Sequence, residues 1–407
     1  MGKVNTKIQD MDVKGKIVVL RCDFNVPIEN GKILDDSKIK ASLETIEYLQ
    51  DKDCKIVLLS HLGNIKSEED KLKNSLQPVA IRLSELLDMT VGFSKQTRSI
   101  PLWEKVRAMQ SGDIILLENT RFEDFPKKLE SKIDTQLAMY WASLGDIFIN
   151  DAFGSLHRVH TSTAGIAKHI PSGIGFLVQK ELENLDNHVL NAAKPFTVIM
   201  GGSKVEDKLL LIERLLPKCD NLLLGGRLAN AFLDALGFES GFSNISYDRD
   251  LLEKLKVLML DNKEKIMLPL DAVVSSSYDS SVAMYRLIDK IDPNDLIYDI
   301  GARTIEKYKT AITESATVFM NGTVGLYEDR RFANGTKEIL NLVANSEATT
   351  IIGGGDAVSA SYRFGFADKM TYISSGGGAS LEYIAKRKLP VLDYIDGEEE
   401  PYEILEI

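Results

Sequence analysis

Short apolar runs recur along the whole chain, and each is followed by turn-forming residues and then by a longer amphipathic stretch. Runs such as IVVL at 17–20 and IILL at 114–117 are apolar at every position rather than at alternate positions. Strands of a parallel sheet have this pattern when helices cover both faces. Strands that alternate with helices indicate repeated βα units. The predicted fold class is therefore α/β, with parallel sheets.

The chain has 407 residues, which is more than one hydrophobic core usually serves, so we expect two Rossmann-like lobes. Leu177, Leu182, Leu185 and Val189 recur at helical spacing before Pro195, and this pattern predicts a connecting hinge helix. The predicted divisions are an N-terminal domain over 1–175, the hinge helix over 176–192, a C-terminal domain over 193–388, and a tail over 389–407. The acidic tail is either a solvated end or a strap that packs back on the N-terminal domain.

Charge and cysteine content exclude several classes of protein. Acidic residues outnumber basic ones by 60 to 49, for a net charge of −11, and nucleic-acid binding usually needs a basic surface. The three cysteines are far apart, which suggests neither a disulfide framework nor a cysteine-rich metal site. No apolar run is long enough to cross a bilayer. We therefore expect a cytoplasmic protein, a monomer rather than an oligomer, that binds neither nucleic acid nor membrane.

The residues that follow the apolar runs differ between the two halves, and ligands of open parallel sheets bind at these strand ends. In the first half they are charged or polar, whereas in the second half they are glycines. The first set is Arg21, Asp23, Asn25, His61, Arg121, Asn150, Asp151, His157 and Arg158, and the second is Gly201–Gly202, Gly225–Gly226, Gly353–Gly355 and Gly376–Gly378.

Glycines at strand ends let backbone N–H groups and helix N-termini approach a phosphate, although a tight turn alone would also require them. The stretch GGSKVEDK adds Lys204 and Lys208, one helical turn apart and expected on the same face. They could neutralise a transferring phosphoryl group or could be a solvated pair. Asp356 could hold Mg²⁺ beside a nucleotide or could cap a helix, and Glu328 could reach a ribose hydroxyl. No P-loop, protein-kinase or dinucleotide fingerprint is present.

The stretch INDAFGSLHRVHTSTAG, at 149–165, places His157 and His160 around Arg158. This stretch could be a metal site, a catalytic histidine pair or a place to hold an anion, and two histidines are too few ligands for a metal site. His160 is expected to pack or to form a hydrogen bond.

Eight motifs in order, RCDFNVP, SHLG, LLENTRF, NDAFGSLHR, GGSKVEDK, NGTVGLYE, GGGDA and SSGGGASLE, resemble those of the phosphoglycerate kinase family along nearly the whole chain. The segment DIGARTIEKY and the short N-terminal loops look most like the archaeal branch. The resemblance implies reversible phosphoryl transfer between ATP and the carboxylate of 3-phosphoglycerate, with Mg²⁺ as cofactor. It also implies that the acid binds the N-terminal domain, that the nucleotide binds the C-terminal domain, and that a hinge closes to bring the ligands together.

The site residues are carried over from the family motif by motif. The acid would be bound by Asp23, Asn25, Lys38, His61, Asn64, Arg121 and Arg158. The nucleotide would be bound by Gly202, Ser203, Lys204, Lys208, Gly226, Gly301, Asn321, Thr323, Glu328, Gly353, Gly354, Gly355, Asp356 and Ala357, with Asp356 on the metal. The catalytic residues that act on the transferring phosphoryl group would be Lys38, Lys204, Lys208, Gly354 and Gly377.

The chain departs from the family pattern at four of these positions. Lys38 replaces an arginine, Asn64 replaces a basic residue, Thr323 replaces a proline and Ala357 replaces a hydroxyl residue. Lysine keeps the charge of arginine but lacks its planar fork. Two alternatives therefore stay open: a catalytically weak nucleotide-binding homologue, or a kinase for a related carboxylate. A nicotinamide dehydrogenase is disfavoured because no dinucleotide fingerprint is present.

Overall fold

The computed structural model of the chain describes residues 6–238 and 247–397. The chain folds into two compact units. The first unit reaches Leu182 and includes the segment that begins at Lys388, and the second is Glu183–Arg387. Each unit contains its own parallel sheet. None of the described helices is both long and apolar enough to cross a membrane.

The strands of the first unit are β1 (Ile17–Cys22), β2 (Ile28–Glu29), β3 (Lys32–Ile33), β4 (Lys55–Leu59), β5 (Gly92–Ser94), β6 (Ile114–Leu117), β7 (Ile147–Asp151) and β8 (Ser172–Ile174). All except the β2–β3 hairpin form one parallel sheet in the order β5-β6-β4-β1-β7-β8. Because β1 pairs in parallel with both β4 and β7, the carboxyl ends of these three strands lie at one edge.

The helices of the first unit are α1 (Ser37–Ala41), α2 (Leu43–Asp51), α3 (Glu68–Lys73), α4 (Gln77–Leu86), α5 (Ile100–Arg107), α6 (Thr135–Ala142) and α7 (Phe176–Leu185). Ser99 and Asp134 cap α5 and α6 by accepting hydrogen bonds from backbone N–H groups of the first turn. Val18 and Leu20 pack in one apolar cluster and Val19 packs in another, so β1 is buried on both faces. The fully apolar runs predicted this arrangement.

The strands of the second unit are β9 (Phe196–Met200), β10 (Asn221–Leu224), β11 (Ile266–Met267), β12 (Asp271–Ser275), β13 (Met284–Leu287), β14 (Leu296–Ile300), β15 (Thr317–Asn321), β16 (Thr349–Gly353) and β17 (Tyr372–Ile373). The main sheet is parallel, in the order β11-β10-β9-β15-β16-β17. The helices are α8 (Val205–Leu215), α9 (Gly226–Ala235), α10 (Arg249–Asp261), α11 (Ala302–Thr313), α12 (Asn334–Ala344), α13 (Gly355–Arg363) and α14 (Gly378–Lys386). The predicted α/β class with two parallel sheets is confirmed.

Two apolar runs of the second half, KIMLPLDAV at 265–273 and LIYDIG at 296–301, do not lie wholly in the parallel sheet that the pattern of apolar runs predicts. The run KIMLPLDAV is split at Pro269, so that β11 joins the main sheet whereas β12 pairs antiparallel with β13 and β14. The run LIYDIG forms β14 in this small sheet. The reason for the error lies in the burial of β14, whose exposure alternates over its first positions as it does in a half-buried antiparallel strand.

The segment between the sheets is helical, as its apolar spacing predicts. Helix α7 ends at Leu185 and is followed by a single π-helical turn, Asp186–Leu190. Leu185 and Val189 are buried.

The chain after Lys388 forms a last helix, α15 (Pro390–Ile395), within the first unit. The Val391 N–H donates to the Leu156 carbonyl at 3.3 Å, and Lys168 Nζ lies 5.1 Å from the centre of the Tyr394 ring. The last ten residues of the predicted tail, 398–407, lie outside the described residues.

Candidate active site

The cationic side chains of the first unit collect at the carboxyl edge of its sheet. Arg21, near the end of β1, is 1% exposed. Its Nε donates to Ser162 Oγ at 2.9 Å, and its Nη2 lies 3.0 Å from His61 Nδ1. Burial, followed by repulsion from Arg21, holds the pKa of His61 well below its usual value. The ring is therefore neutral at pH 7, and because the guanidinium donates to Nδ1, Nε2 carries the proton and can donate to an anion.

Lys38 and Asp23 form an ion pair at this edge. Lys38 Nζ, on α1, lies 3.0 Å from Asp23 Oδ2, and the backbone N–H of Asn25 donates to Asp23 Oδ1 at 3.1 Å. Burial alone would raise the pKa of Asp23, but the charge and the hydrogen bond of Lys38, together with the charge of Arg21, outweigh it and lower the pKa. Asp23 is thus an ionised acceptor, and Lys38 is held where it could also meet a ligand carboxylate.

Arg121 is positioned by the loop that follows β4. Its Nη1 donates to the Gly63 carbonyl at 2.8 Å and also to Asn64 Oδ1. The Gly63 N–H in turn donates to Asn25 Oδ1 at 3.0 Å. Arg121 Nε is buried and has no hydrogen-bond partner among the described residues. A donor left unused in this way favours a bound acceptor at the site.

Arg158 lies at the exposed rim of this cluster, and its Nε donates to His157 Nε2 at 2.9 Å. Burial, and then the charge of Arg158, lowers the pKa of Arg121. Burial, and then Arg121 and Arg21, lowers the pKa of His160 to about 4. These mutual effects show that the cations repel one another, and an anion would relieve that repulsion. All seven predicted acid-site residues belong to this one cluster: Asp23, Asn25, Lys38, His61, Asn64, Arg121 and Arg158.

Two buried members of the cluster are missing from the predicted set. Arg21 stands at a strand end in RCDFNVP, so its position in the motif was a usable signal. Glu130 is 1% exposed and accepts from the Ser162 N–H at 2.9 Å and from the Ser162 hydroxyl. Burial raises the pKa of Glu130, whereas Arg21 lowers it. Nothing in the local sequence marks Glu130, because its partners lie more than 30 residues away.

The second unit has a cavity of about 570 Å³ beside the glycine-rich strand ends. One part of its lining is apolar, with side chains from α9, the small antiparallel sheet and the loop after β15. The predicted nucleotide residues that line it are Gly202, Ser203, Gly226, Thr323, Glu328 and Asp356. The predicted residues that do not line it are Lys204, Lys208, Gly301, Asn321, Gly353, Gly354, Gly355, Ala357 and Gly377.

Lys208 does not line this cavity, but its Nζ lies against the glycine turn Gly201–Gly202, which does so through Gly202. It is 8% exposed, and its Nζ donates to the Gly201 carbonyl and, at 2.8 Å, to Asn321 Oδ1. Asn321 Nδ2 donates to the Gly353 carbonyl at 2.9 Å. Burial lowers the pKa of Lys208 to about 8, and the carboxylates of Asp356 and Asp207 oppose part of that change. The lysine is therefore only partly charged near pH 8.

The prediction that Lys204 and Lys208 share one helical face is wrong. Lys204 is the N-cap of α8 and has an extended backbone, so helical spacing does not apply to it. Its side chain is 80% exposed, and its Nζ lies 3.8 Å from Asp207 Oδ2. Lys204 is therefore exposed at the surface, whereas Lys208 is buried.

Asp356 is not the N-cap of its helix, because Gly354 occupies that position in α13. Asp356 is exposed in the first turn and lines the cavity. Among the described residues, no group of three or more histidine, cysteine, aspartate or glutamate side chains could hold a metal ion. Mg²⁺ commonly binds through one or two carboxylates together with substrate phosphates and water. A single exposed carboxylate beside a glycine-rich helix start fits this mode.

The remaining predicted positions have varied surroundings. A Cβ at Gly354, whose φ is +88°, would lie 2.6 Å from Asn321 Nδ2. A Cβ at Gly301 would collide with Asp271, whose carboxylate accepts from the first N–H groups of α11. Gly377 is the N-cap of α14, with φ +51° and open space around it. Ala357 is fully buried in an apolar cluster and does not line the cavity, so the structure gives it no access to a ligand there.

The family model described as phosphoglycerate kinase matches residues 8–387. A phosphoglycerate kinase of Macrococcus caseolyticus is 45% identical over 389 residues, which cover 95% of this chain and 98% of the relative. One of Listeria monocytogenes is 46% identical over 385 residues, which cover 94% and 97%. These relatives are bacterial, so the expected affinity with the archaeal branch is not supported. One short motif and loop lengths carry less information than identity over the whole chain.

Solved structures agree with these matches. The structure of a phosphoglycerate kinase from Coxiella burnetii is 33% identical, with a TM-score of 0.84 over 98% of this chain and 100% of that one. The structure from Pyrococcus horikoshii is 31% identical, with a TM-score of 0.82 over 96% and 98%. The chain therefore belongs to the phosphoglycerate kinase family, whose members are phosphotransferases with a carboxyl group as acceptor.

Proposed function

We propose that this enzyme transfers a phosphoryl group reversibly between MgATP and the carboxylate of 3-phosphoglycerate, with the acid on the first unit and the nucleotide on the second. The single observation that carries this division is the contrast between the two strand-end sites. One is a cluster of mutually repelling cations, which suits a small acid with two anionic groups. The other is a cavity with glycine turns at one part of its wall and apolar side chains at another, which suits a nucleotide.

In the first unit, we assign the phosphate of the acid to Arg121 and Arg158, because the first has an unused buried donor and the second is an exposed cation beside it. We assign the carboxylate and hydroxyl end to Lys38 and Asp23, whose ion pair offers one donor and one acceptor. The neutral ring of His61 adds a donor at Nε2.

In the second unit, the glycine turns and the N-terminus of α13 would receive the phosphates, and Asp356 would hold Mg²⁺ together with them. The bound ion would neutralise charge on the phosphates. We assign the exposed Lys204 to the transferring group, whereas Lys208 would act from its buried position beside Gly202. Glu328, at the cavity wall, is assigned to the ribose hydroxyls.

The transfer needs no side-chain base, because the acceptor carboxylate is already ionised at pH 7. Catalysis therefore consists of aligning the carboxylate with the phosphoryl group, excluding water and placing positive charge around the group in transfer. We propose that α7 and the turn after it act as the hinge, since the chain passes from one unit to the other within α7. The cytoplasmic location and the monomeric state stay predictions.

The division of ligands is tested by two variants measured in the same steady-state assay. We expect Arg158→Ala to raise the KM for 3-phosphoglycerate at least about tenfold, since a hydrogen bond to a charged group contributes about 1.5–3 kcal/mol, while the KM for ATP stays the same. We expect Lys204→Ala to lower kcat while the Kd for MgADP changes little. If the KM for 3-phosphoglycerate were unchanged in Arg158→Ala, the proposal that the 149–165 stretch binds the acid would be wrong.

A further inference from the structure

Glu130 places a negative charge inside the cation cluster of the first unit, where the assignments above give it no role. Its side chain is 1% exposed. Its two carboxylate oxygens accept from the backbone N–H of Ser162 at 2.9 Å and from the Ser162 hydroxyl. Because a negative charge here repels an anionic substrate, attraction of the acid cannot be what Glu130 contributes.

The hydrogen bonds around Ser162 have one possible direction. Arg21 Nε donates to Ser162 Oγ at 2.9 Å, and a guanidinium group can only donate. Ser162 therefore accepts from Arg21, and its single hydroxyl proton is left for Glu130. The carboxylate thus fixes the orientation of the Ser162 hydroxyl, and this orientation turns the lone pairs of the hydroxyl toward Arg21.

Arg21 connects this network to a group of the proposed acid site. Burial lowers the pKa of Arg21, and the charge of Glu130 is the largest influence that opposes this effect. Arg21 Nη2 donates to His61 Nδ1 at 3.0 Å, which leaves the proton of the neutral ring on Nε2. If the guanidinium turned away, Nδ1 would lose its donor and the ring would no longer present a fixed N–H group.

The segment that carries Glu130 is held by contacts that do not involve its carboxylate. The Thr161 N–H donates to the Glu130 carbonyl at 2.9 Å, and the Thr161 hydroxyl donates to the Leu129 carbonyl at 2.7 Å. A substitution that removes the charge of Glu130 but keeps its shape leaves these contacts in place. The role of the charge can therefore be separated from the role of the backbone.

We propose that Glu130 is a positioning residue of the acid site, which holds Arg21 against His61 through Ser162, so that His61 Nε2 donates to the bound acid. The inference rests on the proposed function and adds to it a residue that does not itself touch a substrate. A donor that is already oriented before the ligand arrives loses less freedom on binding, and this gain outweighs the repulsion between Glu130 and the acid.

The test measures the Kd for 3-phosphoglycerate by titration calorimetry in wild type, Glu130→Gln, Ser162→Ala and the double variant. Glutamine keeps the size of glutamate but has no charge, and its NH₂ group cannot accept as a carboxylate oxygen does. Glu118→Gln is the matched control. Glu118 is also a buried carboxylate that accepts from a serine hydroxyl and a backbone N–H, those of Ser75 and Leu76.

We expect Glu130→Gln and Ser162→Ala each to raise this Kd at least about tenfold, although Glu130→Gln makes the site more positive. Because Glu130 acts through Ser162, the double variant should bind about as weakly as the weaker of the two single variants. Glu118→Gln should bind the acid as wild type does. The Kd for MgADP, the ligand of the second unit, should be the same in all of these proteins.

Unchanged or tighter acid binding in Glu130→Gln would overturn the inference, since a charge without a positioning role would only repel the acid. Effects that multiply in the double variant would also overturn it, because they would show that the two residues act independently. An equal loss in Glu118→Gln would reduce the effect to the general cost of removing a buried carboxylate. Wild type that does not bind 3-phosphoglycerate would refute the proposed acid site, and the inference with it.

Nitrogen-15 NMR of the His61 ring tests the same inference without Glu130→Gln, in case that variant does not fold. Wild type should show a neutral ring with its proton on Nε2, whereas Ser162→Ala should show a mixture of the two tautomers. A mixture in wild type, or an unchanged Nε2 tautomer in Ser162→Ala, would overturn the inference.

Discussion

Nucleotide binding should be accompanied by proton uptake at Lys208. In the free protein, burial lowers the pKa of this lysine from its usual 10.5 to about 8. The shift corresponds to about 3 kcal/mol of penalty on the charged form. Phosphates near Gly202 would favour that charged form, because a Cβ at Gly202 would lie only 3.3 Å from Lys208 Nζ.

The size of the effect follows from the fraction of lysine that is neutral before binding. With a pKa of about 8, half of the Lys208 side chains are neutral at pH 8 and only about 3% at pH 6.5. We therefore expect MgADP to take up as much as about half a proton per site at pH 8 and almost none at pH 6.5. By the same linkage, the affinity for MgADP should fall as the pH rises through 8.

Titration calorimetry in two buffers of different ionisation enthalpy counts these protons directly, since the difference between the apparent binding enthalpies is proportional to the uptake. Lys208→Arg keeps a positive charge that does not titrate in this range, so binding stays measurable while the uptake should vanish. Lys204→Met is the control at the exposed lysine and should keep the uptake. Equal enthalpies in both buffers for wild type, or an undiminished difference in Lys208→Arg, would refute this reasoning.

Three further predictions concern other residues. Burial raises the pKa of Asp299 to about 8, so its contribution to stability is complete below about pH 4 and is lost as the pH rises through 8. The free energy of unfolding, measured in urea, should therefore fall between pH 4 and pH 8. The variant Asp299→Asn should show a smaller fall. Gly354→Ala should raise the KM for ATP about tenfold, because the new Cβ would lie 2.6 Å from Asn321 Nδ2, whereas Gly365→Ala, which also has positive φ but open space, should not. Lys38→Arg should raise kcat a few-fold in the steady-state assay, since a guanidinium can hold Asp23 and the acid together; a lower kcat would show that the lysine suits this site better.

Much of the fold follows from local sequence patterns. Apolar runs identified the central strands of both parallel sheets, because burial on two faces favours apolar residues, whereas the short edge strands β5 and β8 of the first sheet contain no such run. The small antiparallel sheet was missed, since the run that forms β14 is short and its alternation of exposed and buried positions depends on which partner it finds.

Some residues of the candidate sites could likewise be predicted from the sequence, and others could not. Strand-end residues such as Asn25 and Arg121 could be predicted, because parallel topology brings strand ends to one edge. Glu130 could not, because its significance depends on burial and on partners from distant segments. The difference in exposure between Lys204 and Lys208 also could not be predicted from their spacing in the sequence, because it depends on where the first helical turn of α8 begins.

The most direct test of the central claim is a coupled assay of the purified full-length protein with MgATP and 3-phosphoglycerate. We expect sustained turnover that requires both substrates and Mg²⁺, because Lys38 keeps the charge and the contact with Asp23 that the acid site needs. Absence of turnover, under conditions in which the protein binds both ligands, would contradict it and favour a binding protein or a kinase for another carboxylate.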